Sequence, residues 1–346
     1  MLALMASGGV ALAVALLGTP ILLRWLAGRR IGQQIRDDGP ATHAAKAGTP
    51  TMGGLAIVGA VLVGYAVAHL GTQVKFSASG YLVVIAVFLF GAIGFVDDWI
   101  KVRHKRSLGL NKRGKLVAQV VAAVIFAELA EHWAHTATSL SFTKMTSPGL
   151  ALGQWGWVLF AVVIMVASSN AVNLTDGLDG LAAGSSTLCF AVLAIIGYWV
   201  FRHVKTYHLL PASAIDLALA SVALAGACLG FLWWNAAPAK IIMGDTGALA
   251  IGSGLAALCL LLNVDLLLPV IGGLFVLETL SVIAQVISFR VFGRRIFRMA
   301  PFHHHFELAG WPETTVIVRF WILAGLFAAL GLGIFYAEFL SGTHLT

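Results

Sequence analysis

Long apolar segments alternate with short polar ones along almost the whole chain. A helix needs about 20 apolar residues to cross the hydrocarbon core of a bilayer. Ten segments approach or exceed that length, and the fourth is the least apolar because Glu128 and Glu131 interrupt it. They lie approximately at residues 2–24, 52–74, 80–96, 116–133, 154–172, 180–201, 215–234, 247–263, 266–289 and 316–340. The pattern predicts an all-α polytopic integral membrane protein with about ten transmembrane helices.

Composition supports this prediction. Hydrophobic residues make up 59% of the 346 residues and charged residues 11%, against about 25% charged residues in soluble domains. We therefore expect one transmembrane domain over residues 1–346. The first charged residue, Arg24, follows the first apolar segment, so we expect a retained span and not a signal peptide. The three cysteines lie in apolar segments without a disulfide or metal spacing, and we expect them to be buried.

The basic residues are distributed unevenly between alternate loops. Eighteen of the 22 lysines and arginines fall in one set of loops, and the other set holds Lys75, Lys144, Arg202 and Lys205. The positive-inside rule places the basic set in the cytoplasm and both termini outside. Most of the unusual acids and histidines lie in the same basic set, so the chemistry is predicted at the cytoplasmic face. The segment 132–149 in an outer loop alternates in polarity and predicts a short hairpin.

Three acids lie at the predicted cytoplasmic ends of helices. Asp97 and Asp98 end the third span, where carboxylates oppose the helix dipole unless a cation compensates. Adjacent helical residues point about 100° apart, so the pair can serve two different partners. Asp245 opens the eighth span, where an N-cap is the alternative role. Together the three carboxylates suit Mg²⁺, which prefers oxygen ligands, although plain solvation of a helix end also explains a paired acid.

The segment NLTDGLDGLAAG (173–184) is typical of a helix N-terminus, with Asp176 as the cap and Asp179 three residues later. Free N–H groups and glycines at such an end suit an anion or a nucleotide. The chain contains neither a GxxxxGK[ST] nor a GxGxxG motif, which weakens ATPase and dinucleotide-binding interpretations.

Three consecutive histidines, His303, His304 and His305, lie in the segment APFHHHFELAGWPET (300–314). On a helix they cannot all face one ion, and a zinc site would need further ligands. Phosphate or sugar binding beside nearby arginines is the favoured interpretation, with metal ligation the alternative. Glu278 and Gln285 lie seven residues apart on one face of the ninth span, where interhelical hydrogen bonding competes with a functional role.

Five motifs in order, KAGTPTMGG, FVDDWIK, NLTDGLDG, MGDTG and APFHHHFELAGWPE, resemble the polyprenyl-phosphate N-acetylhexosamine-1-phosphate transferase superfamily over essentially the whole chain. The histidine motif resembles the branch that transfers phospho-N-acetylmuramoyl-pentapeptide. The resemblance implies an Mg²⁺-dependent reaction of UDP-N-acetylmuramoyl-pentapeptide with undecaprenyl phosphate, giving lipid I and UMP for peptidoglycan synthesis. It also implies a multi-pass protein of the bacterial plasma (inner) membrane, a homodimer, and a cytoplasmic active-site cleft.

Residue by residue, the resemblance assigns the candidate site. Essential acids are matched by Asp97, Asp98 and Asp245, with Asp245 as the Mg²⁺ ligand. Positions lining the nucleotide-sugar cleft are matched by Lys46, Asn173, Asp176, Asp179, Gln285, His303, His304 and His305. The chain departs from the family at Ile242, where an aromatic residue is usual, and at Thr246 and Ala248, which we expect not to touch the acids.

Two other functions stay open at this point. A sister transferase that uses UDP-N-acetylglucosamine is the nearest rival, and a secondary transporter is a rival from another class. The transporter is disfavoured because the polar residues cluster at one membrane face and no inverted repeat is evident. For the transferase we favour a single in-line displacement in which Asp98 orients or deprotonates the lipid phosphate, over a covalent intermediate.

Overall fold

The computed structural model describes residues 1–28, 48–104 and 108–343. Its elements in chain order are α1 (Leu2–Gly28), α2 (Gly54–Leu70), α3 (Ala78–Arg103), α4 (Lys112–His132), β1 (Ser139–Lys144), β2 (Ser147–Ala151), α5 (Gly153–Thr175), α6 (Leu181–Arg202), α7 (Val204–Tyr207), α8 (Pro211–Asn235), α9 (Gly244–Leu261), α10 (Leu268–Ile271), α11 (Gly273–Phe292), α12 (Phe302–Leu308) and α13 (Glu313–Thr343). A short 3₁₀ turn, Asp265–Leu267, precedes α10.

Eight of the described helices are long and apolar enough to cross a membrane, namely α1, α3, α5, α6, α8, α9, α11 and α13. The chain is therefore a polytopic membrane protein. The other two predicted spans are also helices. The shorter, α2, is an apolar helix of 17 residues. The α4 helix has 21 residues and contains the two glutamates that make it the least apolar.

Several helices begin or end where local chemistry requires it. Ser77 caps α3 by accepting a hydrogen bond from the backbone N–H of Gly80 at 3.0 Å. Asn111 caps α4 in the same way, accepting from the N–H of Gly114 at 2.6 Å. Such caps satisfy N–H groups that have no partner within the helix. The α11 helix ends at Gly293, whose φ of +64° suits glycine.

The central helix of the bundle is α9. Every residue from Thr246 to Leu261 is buried, which is expected of a helix that is apolar on all sides. It packs chiefly against α3 and α5, while α8 packs against α1 and α6. Small residues allow close approach: a Cβ at Gly252 would lie 2.4 Å from the backbone oxygen of Ser168 on α5. This packing fixes the N-terminus of α9 relative to the ends of α3 and α5.

The predicted hairpin is confirmed. Its first strand begins at Ser139, seven residues after the start of the predicted 132–149 segment, whose first residue, His132, is the last residue of α4. Strands β1 and β2 pair antiparallel, so the prediction of an all-α fold needs this small correction. The N–H of Ser141 in β1 donates to Asp265 Oδ1 at 2.9 Å, which ties the hairpin to the turn after α9. The three cysteines are buried and free, as expected.

Candidate active site

Three acids from two helices meet at one end of the bundle. Asp97 and Asp98 lie near the end of α3, and Asp245 lies in the first turn of α9. One carboxylate oxygen from each residue lies within 4.8 Å of the other two. The helices touch through backbone here, since a Cβ at Gly94 would lie 2.2 Å from the carbonyl oxygen of Asp245. The sequence prediction that these residues converge is therefore consistent with the structure.

The two adjacent acids accept hydrogen bonds from different segments of backbone. Asp97 accepts a hydrogen bond from the N–H of Leu110 at 2.9 Å. Asp98 is 2% exposed, and it accepts from the N–H groups of Asp245 at 3.2 Å and Thr246 at 3.0 Å. The Thr246 hydroxyl donates to Asp98 at 2.7 Å. Asp98 therefore satisfies N–H groups at the start of α9, where a negative charge also favours the helix dipole.

These contacts correct two expectations. The N-cap role considered for Asp245 is wrong, because its side chain makes no cap and Asp98 from α3 supplies the acceptor instead. The expectation that Thr246 does not touch the acids is also wrong. Gly244 explains how Asp98 comes so close: its φ is +73°, and a Cβ there would lie 2.6 Å from Asp98 Oδ2.

Two lysines compensate the charge of the three acids. Lys101 Nζ lies 2.6 Å from Asp97, 3.2 Å from Asp245 and 3.6 Å from Asp98. Lys115 Nζ, from the first turn of α4, lies 2.5 Å from Asp245 Oδ2. Both side chains are largely shielded from solvent. Sequence reasoning counted these lysines only as topology determinants, although the four-residue spacing of Asp97 and Lys101 already indicates a pair on one helix face.

The donor set of this cluster fits a divalent cation such as Mg²⁺. Carboxylate oxygens are hard ligands, and Mg²⁺ is usually held by one or two carboxylates together with water and substrate phosphates. Asp245 has the most exposed side chain of the three acids, at 14%, and its carboxylate contacts both lysines. Within the part of the chain that the structure describes, these acids are the one group of three or more potential metal ligands.

We expect Lys115→Met to reduce turnover by about tenfold to a hundredfold while the protein still folds. The substitution removes a charge-assisted contact to Asp245 at 2.5 Å and leaves the acids short of one compensating cation. Turnover of purified protein, with thermal unfolding measured in parallel, tests this. Lys112→Met is the matched control, because Lys112 is exposed on the same helix turn. Equal activity of the two variants would contradict a role for Lys115.

The loop between α5 and α6 lies beside the acids. Asn173 Nδ2 donates to Asp245 Oδ1 at 2.8 Å. Asp176 is the residue that ends α5, so its predicted role as a helix N-cap is wrong: α5 continues through Thr175, and α6 begins after Gly180 without a side-chain cap. Asp179 instead accepts from the N–H of Ala239 at 2.9 Å, which ties the loop to the segment before α9.

Residues 50–54, from the KAGTPTMGG motif, form backbone hydrogen bonds with Ile242 and Met243 at the start of the MGDTG motif. The N–H of Ile242 donates to Pro50 at 2.8 Å, and the N–H groups of Gly53 and Gly54 donate to Ile242 and Met243 at 2.9 Å. This pairing holds the start of α2 against the start of α9. Lys46, predicted to bind substrate from the same motif, lies outside the described residues. Ile242, where the family usually has an aromatic residue, is half-buried beside this junction.

The three histidines lie on α12 and point in different directions, as helical geometry predicts. His303 Nδ1 lies 3.2 Å from Glu278, and His304 Nδ1 lies 2.7 Å from Glu307. His305 Nδ1 accepts from the N–H of Arg298 at 3.1 Å. The described histidines therefore do not converge on one ion.

Two further contacts place α12 in the site. A Cβ at Gly177, in the α5–α6 loop, would lie 2.4 Å from His303 Nε2 and 3.3 Å from His304 Nε2. Gln285 of α11 binds the backbone of the segment before α12, accepting from Ile296 and Phe297 at 3.0 Å. The histidines thus adjoin the loop that follows α5, and the last turn of α5 contacts the acids through Asn173. Gln285 braces the α11–α12 connection, and its contact with substrate stays a prediction.

Known protein families match the segments that contain the acids of this site. The family described as glycosyl transferase family 4 matches residues 81–263, which include all three acids and Asn173, Asp176 and Asp179. The phospho-N-acetylmuramoyl-pentapeptide-transferase signature 1 matches residues 46–58, which include Pro50, Gly53 and Gly54 that pair with the segment at the start of α9.

Full-length relatives carry the same family name. The chain is 51% identical over 344 residues to a phospho-N-acetylmuramoyl-pentapeptide-transferase of Frankia casuarinae and 52% identical to one of Frankia alni, covering 96% of both chains in each case. It is 49% identical over 355 residues to that of Saccharopolyspora erythraea, covering 99% of this chain and 98% of the relative. The chain therefore belongs to the phospho-N-acetylmuramoyl-pentapeptide-transferase family, within glycosyl transferase family 4.

Proposed function

We propose that this protein transfers phospho-N-acetylmuramoyl-pentapeptide from its UDP donor to undecaprenyl phosphate, giving lipid I and UMP in peptidoglycan synthesis. The observation that carries the proposal is the cluster of three acids and two lysines, largely shielded from solvent, where the end of α3 meets the start of α9. Phosphoryl transfer depends mainly on positioning and on neutralising charge, and this cluster supplies both. A soluble donor and a lipid acceptor also require a site at the end of a membrane bundle.

Asp245, with Asp97 and Asp98, is the proposed holder of Mg²⁺. When bound, the ion neutralises charge on the donor pyrophosphate as the phosphate bond is exchanged. Lys101 and Lys115 add two positive charges within 3.2 Å of Asp245. Asn173 orients the other oxygen of Asp245. Asp98 holds the start of α9 through both of its oxygens, and this contact positions Asp245.

For the nucleotide and sugar we propose Lys46, Asn173, Asp176, Asp179, Gln285, His303, His304 and His305 as the surrounding residues. Asp176 and Asp179 flank Gly177 in the loop that the histidines contact. The basic segment before α12 supports an anionic ligand in the same region, since Arg294, Arg295 and Arg298 precede the histidines. Lys46 belongs to the proposal through the signature that begins at residue 46.

The reaction is proposed to be a single in-line displacement. The acceptor phosphate is already mostly dianionic at neutral pH, because its second pKa is about 6, so it attacks without an obligatory base. The oxygen of the lipid phosphate bonds to the donor's sugar-linked phosphorus, and the bond to UMP breaks. The proposed role of Asp98 in orienting or deprotonating the lipid phosphate requires it to exchange its contacts with α9.

We expect enzyme stripped of polyprenyl phosphate not to exchange labelled UMP into the donor. A direct displacement needs the lipid before UMP can leave, whereas a covalent phospho-sugar intermediate releases UMP without it. Radiolabel in the re-isolated donor is the measurement, and restoring the lipid provides the control. Rapid lipid-free exchange would eliminate the one-step mechanism.

We propose that all ten predicted segments span the membrane in one domain, with both termini outside and the site cytoplasmic. The exposed residues Val117, Val121 and Ile125 lie four residues apart along α4 and form an apolar row suited to lipid. Exposed Val63 and Val67 form a similar row on α2. The basic residues concentrated at the site's end of the bundle support the cytoplasmic location. A homodimer in the bacterial plasma membrane completes the proposal, on the family resemblance, and cross-linking in native membranes tests it.

A cysteine introduced at Ser341 should react with an impermeant thiol reagent from outside intact cells, and one at His104 should not. Ser341 lies at the end of α13 and His104 follows α3, both exposed and at opposite ends of the bundle. The three native cysteines are at most 1% exposed, so background labelling should be low. The opposite pattern would reverse the orientation and move the site to the other side of the membrane.

The function itself is tested by UMP release from UDP-N-acetylmuramoyl-pentapeptide in the presence of undecaprenyl phosphate and Mg²⁺. We expect release that is abolished by EDTA and restored by Mg²⁺, with at least tenfold preference over UDP-N-acetylglucosamine. Faster release from UDP-N-acetylglucosamine would indicate the sister transferase. Substrate accumulation in proteoliposomes without UMP formation would indicate a transporter.

A further inference from the structure

A buried acid in the first half of a membrane-spanning helix contacts one of the three histidines. Glu278 lies on α11 and is 0% exposed, and its Oε2 lies 3.2 Å from Nδ1 of His303, which is also 0% exposed. The contact is a close ion pair, and among the described residues neither carboxylate oxygen of Glu278 and neither ring nitrogen of His303 makes a hydrogen bond. A carboxylate in such a place is costly unless a polar group compensates it, so the histidine ring is its anchor.

The opposite edge of the same ring meets the α5–α6 loop. A Cβ at Gly177 would lie 2.4 Å from His303 Nε2 and 3.0 Å from Cε1, so the ring rests directly on the loop backbone. Gly177 lies between Asp176 and Asp179, the two acids proposed to face the nucleotide sugar. The contacts therefore run in one line from Glu278 on α11, through the His303 ring on α12, to the backbone of this loop.

The three histidines differ in burial and in partner. His304 is 9% exposed and contacts Glu307, three residues later on its own helix. His305 is half-buried and accepts a hydrogen bond from the segment before α12. The ring of His303 is fully buried between α11 and the α5–α6 loop, so its atoms contact these elements of the protein. Its contribution to the site must therefore pass through the loop.

We propose that Glu278 and His303 form a positioning pair that sets the backbone of residues 176–180, and through it the affinity for the nucleotide-sugar donor. In this pair His303 acts by holding the loop, and its effect on the donor passes through the loop backbone. The part that concerns donor affinity rests on the proposed function. The part that concerns the loop does not depend on it.

The test uses three variants of the full-length protein. Glu278→Met removes the carboxylate while keeping a side chain of similar length that suits the membrane. Glu278→Gln retains an oxygen that can accept a hydrogen bond from Nδ1, so it is the conservative rescue. Thr279→Val is the matched control, because Thr279 is the next residue on α11 and its hydroxyl bonds only its own helix, to Phe275 at 2.8 Å.

Hydrogen–deuterium exchange is the first readout, since it needs no substrate. We expect Glu278→Met to increase exchange in a peptide covering 176–181 by about tenfold, with a peptide covering 95–103 unchanged. Steady-state kinetics is the second readout. The donor KM should rise about tenfold while the KM for polyprenyl phosphate stays constant, and Glu278→Gln should recover most of the loss. If the contact only held α12 to α11, its loss would lower thermal stability and would not change the donor KM relative to the KM for polyprenyl phosphate.

Gly177→Ala provides an independent route if Glu278→Met does not fold. Its added Cβ displaces the His303 ring from the other side, so it should raise the donor KM in the same direction. Combined with Glu278→Met it should add little, because both changes break one line of contacts. Unchanged exchange at 176–181 in both variants, or an equal rise in both KM values, overturns the proposal. Absence of UMP release by the wild-type protein would instead refute the proposed function and leave the exchange result to decide the positioning role.

Discussion

Asp245→Asn should reduce the turnover of this transferase by about 10³-fold or more. The substitution removes the charge that two lysines contact, at 2.5 and 3.2 Å, and it removes the proposed central ligand of Mg²⁺. Loss of a metal that stabilises a transferring phosphate is worth several kcal/mol, and each 1.36 kcal/mol is a factor of ten in rate. The rate of UMP release per folded enzyme is the measurement.

A second readout separates metal loss from other causes. The concentration of Mg²⁺ needed for half-maximal rate should rise strongly in Asp245→Asn, and Mn²⁺ binding followed by its paramagnetic signal should weaken. Glu128→Gln is the control, since Glu128 is a partly exposed acid on α4 that lies 3.4 Å from His132 on the same helix. Near-normal turnover of the Asp245 variant, with unchanged Mg²⁺ dependence, would falsify the metal assignment.

Gly54→Ala should abolish activity and lower the unfolding temperature markedly. A Cβ at Gly54 would lie 2.0 Å from the backbone nitrogen of Gly247 and 2.4 Å from its Cα. Both partners are backbone at the start of α2 and α9, so the strain cannot be relieved by turning a side chain. Overpacking of this kind typically costs about 1–3 kcal/mol or more, and here it also moves the turn that carries Asp245.

The matched control is Gly59→Ala, one and a half turns later on the same helix. No atom lies within 4 Å of a Cβ added at Gly59, so the substitution should be neutral or stabilise α2 by about 0.5–1 kcal/mol through helix propensity. Thermal unfolding in detergent and turnover are measured for both variants. Similar behaviour of the two proteins would show that the contact between α2 and α9 does not limit the site.

The helices of this fold follow directly from its sequence. Each predicted apolar segment contains a helix. The fourth segment was predicted to be the least apolar because of its two glutamates, and its helix, α4, is long enough to span a membrane but is not apolar enough to be counted among the eight. A membrane-spanning backbone must satisfy its hydrogen bonds within itself, so apolar length alone predicts helix. The hairpin was visible because a loop between two spans faces water and can show alternating polarity.

The site was predictable only in part. Asp97, Asp98 and Asp245 could be selected because acids at the ends of apolar helices are unusual and match a motif. Their partners could not be selected in the same way: Lys115 is 130 residues from Asp245, and nothing in its spacing indicates the contact. The cap assignments for Asp176 and Asp245 failed because a local rule assumes that a side chain caps its own helix, whereas Asp98 caps α9 from α3.

The sequence by itself determined the membrane-spanning helices, the uneven charge of the loops, the chemical type of the site and the family. These properties depend on residue type and on near neighbours along the chain. Tertiary structure alone decided which lysines compensate the acids, that Asp98 holds the start of α9, and that Glu278 reaches His303 across two helices. The physical reason is that hydrogen bonds and ion pairs act over about 3 Å, and packing, not sequence separation, brings those atoms within that distance.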